Sequence, residues 1–323
     1  MYSLLLSNTL TNMDPFSDAG ELYTIRNQFF TNQHHKVVSY SLEQFSPENQ
    51  LKVLEYQVRS QIALGEDASK LIDLGRQKFP ESEEFVQLLM AYNDLKLFGV
   101  DESPYFQGVA EPKFELQAVL TALYKVKFEN DIDGAISLLS GYIDTHSYGE
   151  LEPFLSLVQL YLVKGNFQAA NQIFNSFKNF PSSARDNIVY HVLESWILSI
   201  KGESDNISNA YYFYDELLSA DFDDDEQGKF RLLSVLFVLT VQLKHYPEAQ
   251  ELLNQLKELN IESSDGDFIA NQITFDYLTN DGANVTQLYE QLKAIDPHHQ
   301  MVIDYEEKQS LFDKIVAKYE VEA

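Results

Sequence analysis

Apolar residues recur along this chain at the three- and four-residue spacing of amphipathic helices. The clearest example lies at residues 151–181, where a first apolar series on one helical face ends near Tyr161. Gly165 interrupts the pattern, and a second apolar series that contains Ala170 ends before Pro181. The segment therefore predicts two antiparallel helices joined by a short turn, with Ala170 at the point where the two helices come closest.

The same helical pairing returns along the chain at a nearly constant period. The position of Ala170 is taken in the other predicted pairs by a small or aliphatic residue: Val38, Leu71, Ala135, Ala210, Ala249 and Val285. Successive members are 33 to 40 residues apart, and one gap of 64 leaves room for a degenerate pair at 82–112. This period is typical of tetratricopeptide hairpins, which stack into a curved array. We predict an all-α fold, a right-handed α-α superhelix (solenoid) of degenerate tetratricopeptide-type helical hairpins; an irregular helical array is the alternative.

The pattern also predicts how the chain is divided. We expect a flexible leader over residues 1–15, the solenoid over 16–297, and a carboxy-terminal capping or partner-binding helix within 298–323. The leader has three consecutive leucines without a preceding basic residue, so we expect no signal peptide. Either Met1 or Met13 could be the start. The predicted helices are 18–31, one through 38–45, 48–63, 67–78, 82–98, 113–128, 132–144, 185–200, one through 207–217, 226–243, 247–259, 264–279, 283–294 and 300–319.

Charge narrows the classes of partner. The 323 residues include 50 acidic and 23 basic side chains, for a net charge of −27. Such a surface repels phosphate backbones and anionic lipid headgroups, so we expect neither nucleic-acid binding nor unaided membrane docking. The most apolar stretch, LLSVLFVLTVQL at 232–243, is too short to cross a bilayer. The chain has no cysteine, which excludes disulfides and thiolate chemistry.

One acidic segment resembles a calcium loop but fails the test of spacing. Asp221, Asp223 and Asp225 alternate as the first ligands of such a loop do. The sixth and twelfth positions, which require Gly and Glu, are Glu226 and Leu232. We interpret the segment as an acidic first turn that stabilises the dipole of the following helix.

No other motif supports catalysis. The adjacent histidines at 34–35 and 298–299 lie at helix junctions and cannot both face one metal. The chain contains no phosphate-binding loop and no nucleophile motif, so we predict no enzyme activity, no metal site and no cofactor.

The remaining signal is a large number of aromatic residues, 19 Tyr and 22 Phe. Tyrosine and tryptophan often dominate the binding energy of protein interfaces. Most of the phenylalanines are expected in the core, and the tyrosines divide between core and interface. In the register of the predicted superhelix, the candidate interface residues on the concave face are Tyr23, Tyr56, Tyr92, Tyr124, Leu155, Gln159, Trp196, Ser234 and Val238.

Both ends of the chain resemble one known family. The segment ELYTIRNQFFTNQHHKVV at 21–38 is similar to the opening helix pair of the epsilon subunit of coatomer, the COPI vesicle coat. HHQMVIDYEEKQSLFDKIVAKY at 298–319 resembles its closing helix, and DIDGAISLL and KGNFQAANQIF fit its hairpins. The resemblance covers about residues 20–320; the leader and the long turn at 201–206 depart from it.

The resemblance implies a non-catalytic coat component. Family members bind the carboxy-terminal region of the alpha subunit, curl around it and support retrograde Golgi-to-ER and intra-Golgi transport. Membrane association is then indirect, through other subunits and an Arf-family GTPase, and the protein is expected in the cytoplasm and at the periphery of Golgi membranes and COPI-coated vesicles. The family offers no catalytic or metal residue.

One alternative from another class remains open. A tetratricopeptide adaptor or co-chaperone would bind short peptide segments in its concave groove. Such clamps use Lys and Arg to hold a terminal carboxylate. Few of the expected groove positions in this chain are basic, which favours the coat subunit.

Overall fold

A computed structural model describes residues 20–99, 104–145, 150–177, 182–220, 222, 225–259, 261 and 265–319. The predicted leader lies outside these residues, as do Asp18, which could have capped the first helix, and Pro181. Two of the three aspartates of the calcium-like segment, Asp221 and Asp223, also lie outside them.

The described residues form α-helices joined by turns and short 3-10 segments, with no strand among them, which confirms the predicted all-α class. The helices are α1 (Tyr23–Phe30), α2 (His34–Ser39), α3 (Pro47–Ala63), α4 (Ser69–Lys78), α5 (Glu83–Phe98), α6 (Glu115–Phe128), α7 (Ile132–Thr145), α8 (Glu152–Val163), α9 (Phe167–Ser176), α10 (Ile188–Lys201), α11 (Ser204–Leu218), α12 (Glu226–Gln242), α13 (Tyr246–Glu258), α14 (Gly266–Thr279), α15 (Val285–Ile295) and α16 (Gln300–Tyr319).

The chain divides into two compact units, Met1–Lys201 and Gly202–Ala323. In the first unit α3 packs on α2, α5 on α4, α7 on α6 and α9 on α8. In the second unit α12 packs on α11 and α13, and α15 packs on α14. The boundary falls between α10 and α11, which the sequence assigns to one hairpin. The predicted division into leader, solenoid and last helix stays a prediction.

The turn between α8 and α9 shows how local sequence makes a hairpin. Gly165 has a φ of +68°, a left-handed conformation that costs a glycine little. The next residue, Asn166, caps α9, because its side-chain oxygen accepts a hydrogen bond from the backbone N–H of Ala169 at 3.1 Å. Ala170 follows on the inner face of α9 and is fully buried. This hairpin is the one that the apolar pattern predicts most clearly.

Small residues occupy the helix contacts in the middle of the chain, as predicted. Ala135, Ala170, Ala210 and Ala249 are each no more than 1% exposed. A methyl group is therefore what their neighbours accommodate, and the four positions confirm the predicted register of their hairpins.

The register prediction is wrong in the first two hairpins. Val37 is fully buried in α2, whereas Val38, the predicted contact, is partly exposed. In α4 the small residue is Gly75 rather than Leu71: a Cβ atom at Gly75 would lie 2.5 Å from a methyl carbon of Leu54. The Leu54 side chain of α3 packs directly on this glycine of α4, and a search for alanine-like positions at a fixed period does not find it.

The degenerate unit after α5 contains a turn in place of a second long helix. Residues 106–108 form a 3-10 turn, and Phe106 is 2% exposed. Its ring packs against Tyr124 of α6, so the turn closes the core where a second helix would otherwise lie. Residues 100–103 of this unit are outside the described part.

Candidate interaction surface

Tyr56 of α3, a predicted interface residue, is fully buried in the first unit. Its ring centroid lies 4.8 Å from that of Phe29 in α1, and Arg26 Nε donates a hydrogen bond to its hydroxyl at 3.3 Å. Burial raises the pKa of Tyr56 to about 12, although the charges of Lys52 and Arg26 act in the opposite direction. The enclosed phenol cannot contact a partner, so the prediction is wrong for this residue.

A buried network of ion pairs surrounds Tyr56. The Arg59 guanidinium donates to Glu55 Oε1 and to Glu152 Oε2, both at 2.9 Å. Lys52 Nζ lies 2.8 Å from Glu55 and 3.3 Å from Glu150. The Glu55 side chain is 2% exposed, and those of Arg59 and Glu152 are 11% and 13% exposed. The Phe29 ring centroid lies 4.6 Å from the Arg59 guanidinium carbon. We call these residues, together with Arg26 and Phe29, the ionic core.

The ionic core joins parts of the chain that are far apart in sequence. Arg59 and Glu152 are 93 residues apart, and their pair links α3 to the first turn of α8. Burial alone would raise the pKa of Glu152, but the Arg59 charge lowers it below the ordinary value. Within the first unit, α1 also contacts α10. Side chains of the chain itself therefore fill the space in which a groove residue at position 56 was expected.

Tyr124 of α6 is likewise a core residue, with 2% of its surface exposed. Its ring stacks between Phe106 and Phe128 at centroid distances of 5.4 and 5.5 Å. Its hydroxyl accepts a hydrogen bond from Gln107 Nε2 at 3.1 Å. The expectation that it faces a partner is therefore wrong, because aromatic neighbours from the degenerate unit cover it.

The other predicted interface residues keep solvent access. Tyr23 is 49% exposed and Gln159 is also exposed, whereas Tyr92, Leu155 and Trp196 are half-buried in the same unit. In the second unit, Ser234 and Val238 of α12 are half-buried. The Ser234 hydroxyl donates to the Phe230 carbonyl at 2.8 Å, within its own helix. Their role in binding stays a prediction.

The last helix presents a group of exposed apolar residues that are not among the predicted interface residues. α16 is held to α15 near its start, where Val302 is 1% exposed and the Tyr305 and Tyr289 rings lie 4.6 Å apart. All described residues after Val302 are exposed. We call the following set the α16 stripe, since its members share one helical face: Leu311, Phe312, Ile315, Val316 and Tyr319. The sequence predicts a capping or partner-binding helix in this part of the chain, without indicating which of its residues are exposed.

The charge of α16 differs from that of the whole chain. Three lysines stand against four carboxylates in this helix, whereas the chain as a whole carries −27. An apolar stripe on a nearly neutral helix can approach another protein without the repulsion that the remaining surface would produce. Exposed apolar patches of this kind mark interaction sites.

The histidines at the helix junctions contact neighbouring side chains. His34 Nδ1 lies 3.1 Å from Ser60 Oγ, and His299 Nε2 lies 3.1 Å from Asp267 Oδ1, so both imidazoles take part in helix packing. Within the described ranges, no three His, Asp or Glu side chains converge as metal ligands do. Nor does any helix there combine the length and the hydropathy that a bilayer crossing requires.

Known proteins resemble this chain over most of its length. The sequence matches the family described as Coatomer epsilon subunit over residues 18–320. A probable coatomer subunit epsilon from Schizosaccharomyces pombe is 26% identical over 204 residues, which are 63% of this chain and 64% of that relative. The coatomer subunit epsilon of Saccharomyces cerevisiae is 23% identical, covering 93% of this chain and 99% of the relative. That of Caenorhabditis elegans is 25% identical, covering 93% and 98%. The first match spans less than two thirds of its relative, and the other two span nearly all of theirs.

Proposed function

Because this chain belongs to the coatomer epsilon subunit family, we propose that it is a non-catalytic structural subunit of the COPI vesicle coat. The observation that carries the proposal is the extent of the family match, residues 18–320, which includes every described helix. A fold of stacked hairpins without a candidate catalytic group suits a protein whose work is to hold another polypeptide.

The partner in this proposal is the carboxy-terminal region of the alpha subunit, which the chain binds and stabilises. Through it the chain joins the rest of the coat in retrograde Golgi-to-ER and intra-Golgi transport. Its place is the cytoplasm and the periphery of Golgi membranes and COPI-coated vesicles. Other subunits and an Arf-family GTPase bring it to the membrane, in keeping with a net charge of −27, which disfavours direct contact with anionic lipid.

We propose the α16 stripe as one part of the surface that meets the alpha subunit. Every described residue in the half of α16 that carries the stripe is exposed, and the charge of the helix is nearly balanced. The predicted residues that keep solvent access, Tyr23, Gln159 and Trp196 among them, are further candidates. Tyr56 and Tyr124 are left out because the core encloses them.

Co-purification tests the proposal. An affinity tag is added to the full chain by editing its own gene. The chains that co-purify are identified and quantified by mass spectrometry. We expect the alpha subunit in a one-to-one ratio. A stable monomer without coat subunits would overturn the proposal, and micromolar binding of short acidic carboxy-terminal peptides by such a monomer would favour the adaptor alternative.

A pair of variants tests the α16 stripe separately. Phe312→Glu with Ile315→Glu places two charges on the stripe and should reduce the recovered alpha subunit at least tenfold. Ser310→Glu with Ala317→Glu adds the same charge to the opposite side of α16 and should leave recovery unchanged. Equal recovery from both double variants would remove the stripe from the interface and leave the coat assignment in place.

A further inference from the structure

The second unit contains an open groove that none of the predicted interface residues lines. It runs along α14, between α13 and α15, and encloses about 590 Å³. α14 packs on α15 and on α12, whereas α13 and α14 make few direct contacts, and the groove lies in the resulting gap. We call it the amide groove, since six side-chain amides line it: Gln250, Gln272, Asn280, Asn284, Gln287 and Gln291.

Gln272 is the most informative of these amides. The residue is 8% exposed, and the part that stays accessible includes its amide, which opens into the groove. The side chain makes no hydrogen bond to any other described residue, so the donor and the acceptor of this amide are available to a ligand. A peptide group that enters the groove can replace water at this position.

Two charged residues line the groove, Lys257 and Asp276, and the protein itself already satisfies the Asp276 carboxylate. The Asp276 carboxylate accepts hydrogen bonds from the backbone N–H and from Nδ2 of Asn284, both at 2.8 Å, and from Nδ2 of Asn280 at 3.1 Å. This carboxylate does not require a cation from a ligand. Recognition in the groove therefore rests on the six neutral amides and the exposed Lys257 ammonium, with Leu253, Ile269 and Phe275 supplying apolar contact.

We propose that the amide groove binds an extended segment of a partner polypeptide through that segment's main chain. A side-chain amide carries both a donor and an acceptor, which matches the N–H and C=O of a peptide group. In a helical ligand these backbone groups are already bonded to each other, whereas an extended segment leaves them free. The alternate side chains of an extended segment point to one side and can contact the apolar floor.

The dimensions of the groove fix the length of the segment. Between Ile269 and Asn280, α14 rises about 16 Å, at about 1.5 Å per residue. An extended chain advances about 3.3 Å per residue, so about five residues fill the groove. The amide groove is lined in part by α13 and α15, the second helices of their hairpins, and so differs from the concave face of first helices that the sequence predicts as the binding surface.

Fluorescence anisotropy with the full chain tests this inference, which takes its ligand source from the proposed function. The probes are labelled eight-residue peptides, with capped ends, that tile the carboxy-terminal region of the alpha subunit. We expect one short region to bind and N-methylation of its alternate amides to weaken binding at least tenfold. The same peptide locked as a helix should lose affinity to the same extent.

Variants locate the binding. Gln287→Leu removes an exposed amide of the groove wall, and Gln272→Leu removes the amide on α14. Each change should weaken peptide binding at least tenfold. Gln255→Leu is the matched control, an exposed amide of α13 outside the groove, and should bind as the unaltered chain does. If circular dichroism shows that Gln272→Leu does not fold, the binding measured for Gln287→Leu still tests the inference.

Several outcomes would overturn the inference. These are binding by none of the tiled peptides, equal binding by N-methylated or helical peptides, and full binding by Gln287→Leu. Co-purification of the unaltered chain with the coat is scored separately, so a failed groove and a failed coat assignment are distinguishable. A chain that joins the coat but binds none of the peptides retains its function and loses the amide groove.

Discussion

Arg59→Met is the perturbation for which the structure gives the sharpest expectation. The Arg59 guanidinium donates hydrogen bonds of 2.9 Å to two carboxylates, that of Glu55 in its own helix and that of Glu152 in α8. Removing one partner of a buried ion pair costs about 3–5 kcal/mol, because the remaining charge stays buried without compensation. Lys52 still lies 2.8 Å from Glu55, so only Glu152 loses its partner completely. We expect a loss of about 3 kcal/mol in the free energy of unfolding.

The reverse change should cost less, and this asymmetry is the test. Glu152→Gln retains the shape of the side chain and leaves Arg59 paired with Glu55, so we expect about 1–2 kcal/mol. The double variant should lose less than the sum of the single changes, since the two groups interact directly. Glu152→Gln costing more than Arg59→Met, or additive losses, would show that Arg59 does not bridge α3 and α8.

The assay has to resolve the first unit, because a chain of two compact units need not unfold in one step. Urea unfolding followed by circular dichroism gives the overall midpoint. Hydrogen exchange with mass spectrometry then compares peptides from α3 and α8 with peptides from α14. We expect faster exchange in α3 and α8 alone. Lys293→Met, which removes an exposed pair with Glu306, is the control and should leave the midpoint unchanged.

Three further predictions concern the first unit. The pKa of Glu152 is lowered in the folded protein, so its contribution to stability is present above the ordinary pKa of 4.5 and is lost as pH falls through the folded pKa. In urea unfolding between pH 6 and 3, the free energy of unfolding of the unaltered chain should therefore fall towards that of Glu152→Gln. Gly75→Ala should lower the free energy of unfolding by about 1–3 kcal/mol. Gly141→Ala, in a helix with nothing within 4 Å of the added methyl, should raise it by about 0.5–1 kcal/mol. Equal urea midpoints for the two variants would contradict the close approach of α3 and α4. By the same measurement, Tyr124→Ala should lower the free energy of unfolding by about 3–5 kcal/mol and Tyr23→Ala by less than about 0.5 kcal/mol. The opposite order would show that Tyr124 lies at the surface.

The helices and the alanine contacts could be predicted because they depend on local spacing. An apolar face every three or four residues is visible in any window of the sequence, and Ala135, Ala170, Ala210 and Ala249 repeat at the hairpin period. Gly75 was missed because the need for a glycine there is set by the Leu54 side chain of the neighbouring helix rather than by the period.

The burial of Tyr56 could not be predicted from its register. It follows from the packing of α1 on α3, which places Phe29 and Arg26 against the phenol, beside a pair of Arg59 and Glu152 that are 93 residues apart. Periodicity gives the face of a helix but not what covers that face. For the same reason the last helix was predicted without the exposure of the α16 stripe. The amide groove leaves no pattern at all, since Gln272 and Gln287 belong to different helices and amides are common on surfaces.

The central claim is that this chain works by holding another chain of the vesicle coat, and native mass measurement of the tagged protein from its own cell tests it most directly. Size-exclusion chromatography with light scattering, followed by identification of every co-eluting chain, reports both partner and stoichiometry. The account predicts one copy of this chain with one alpha subunit in a large complex. Elution of nearly all of the protein as a 37.1 kDa monomer would contradict it.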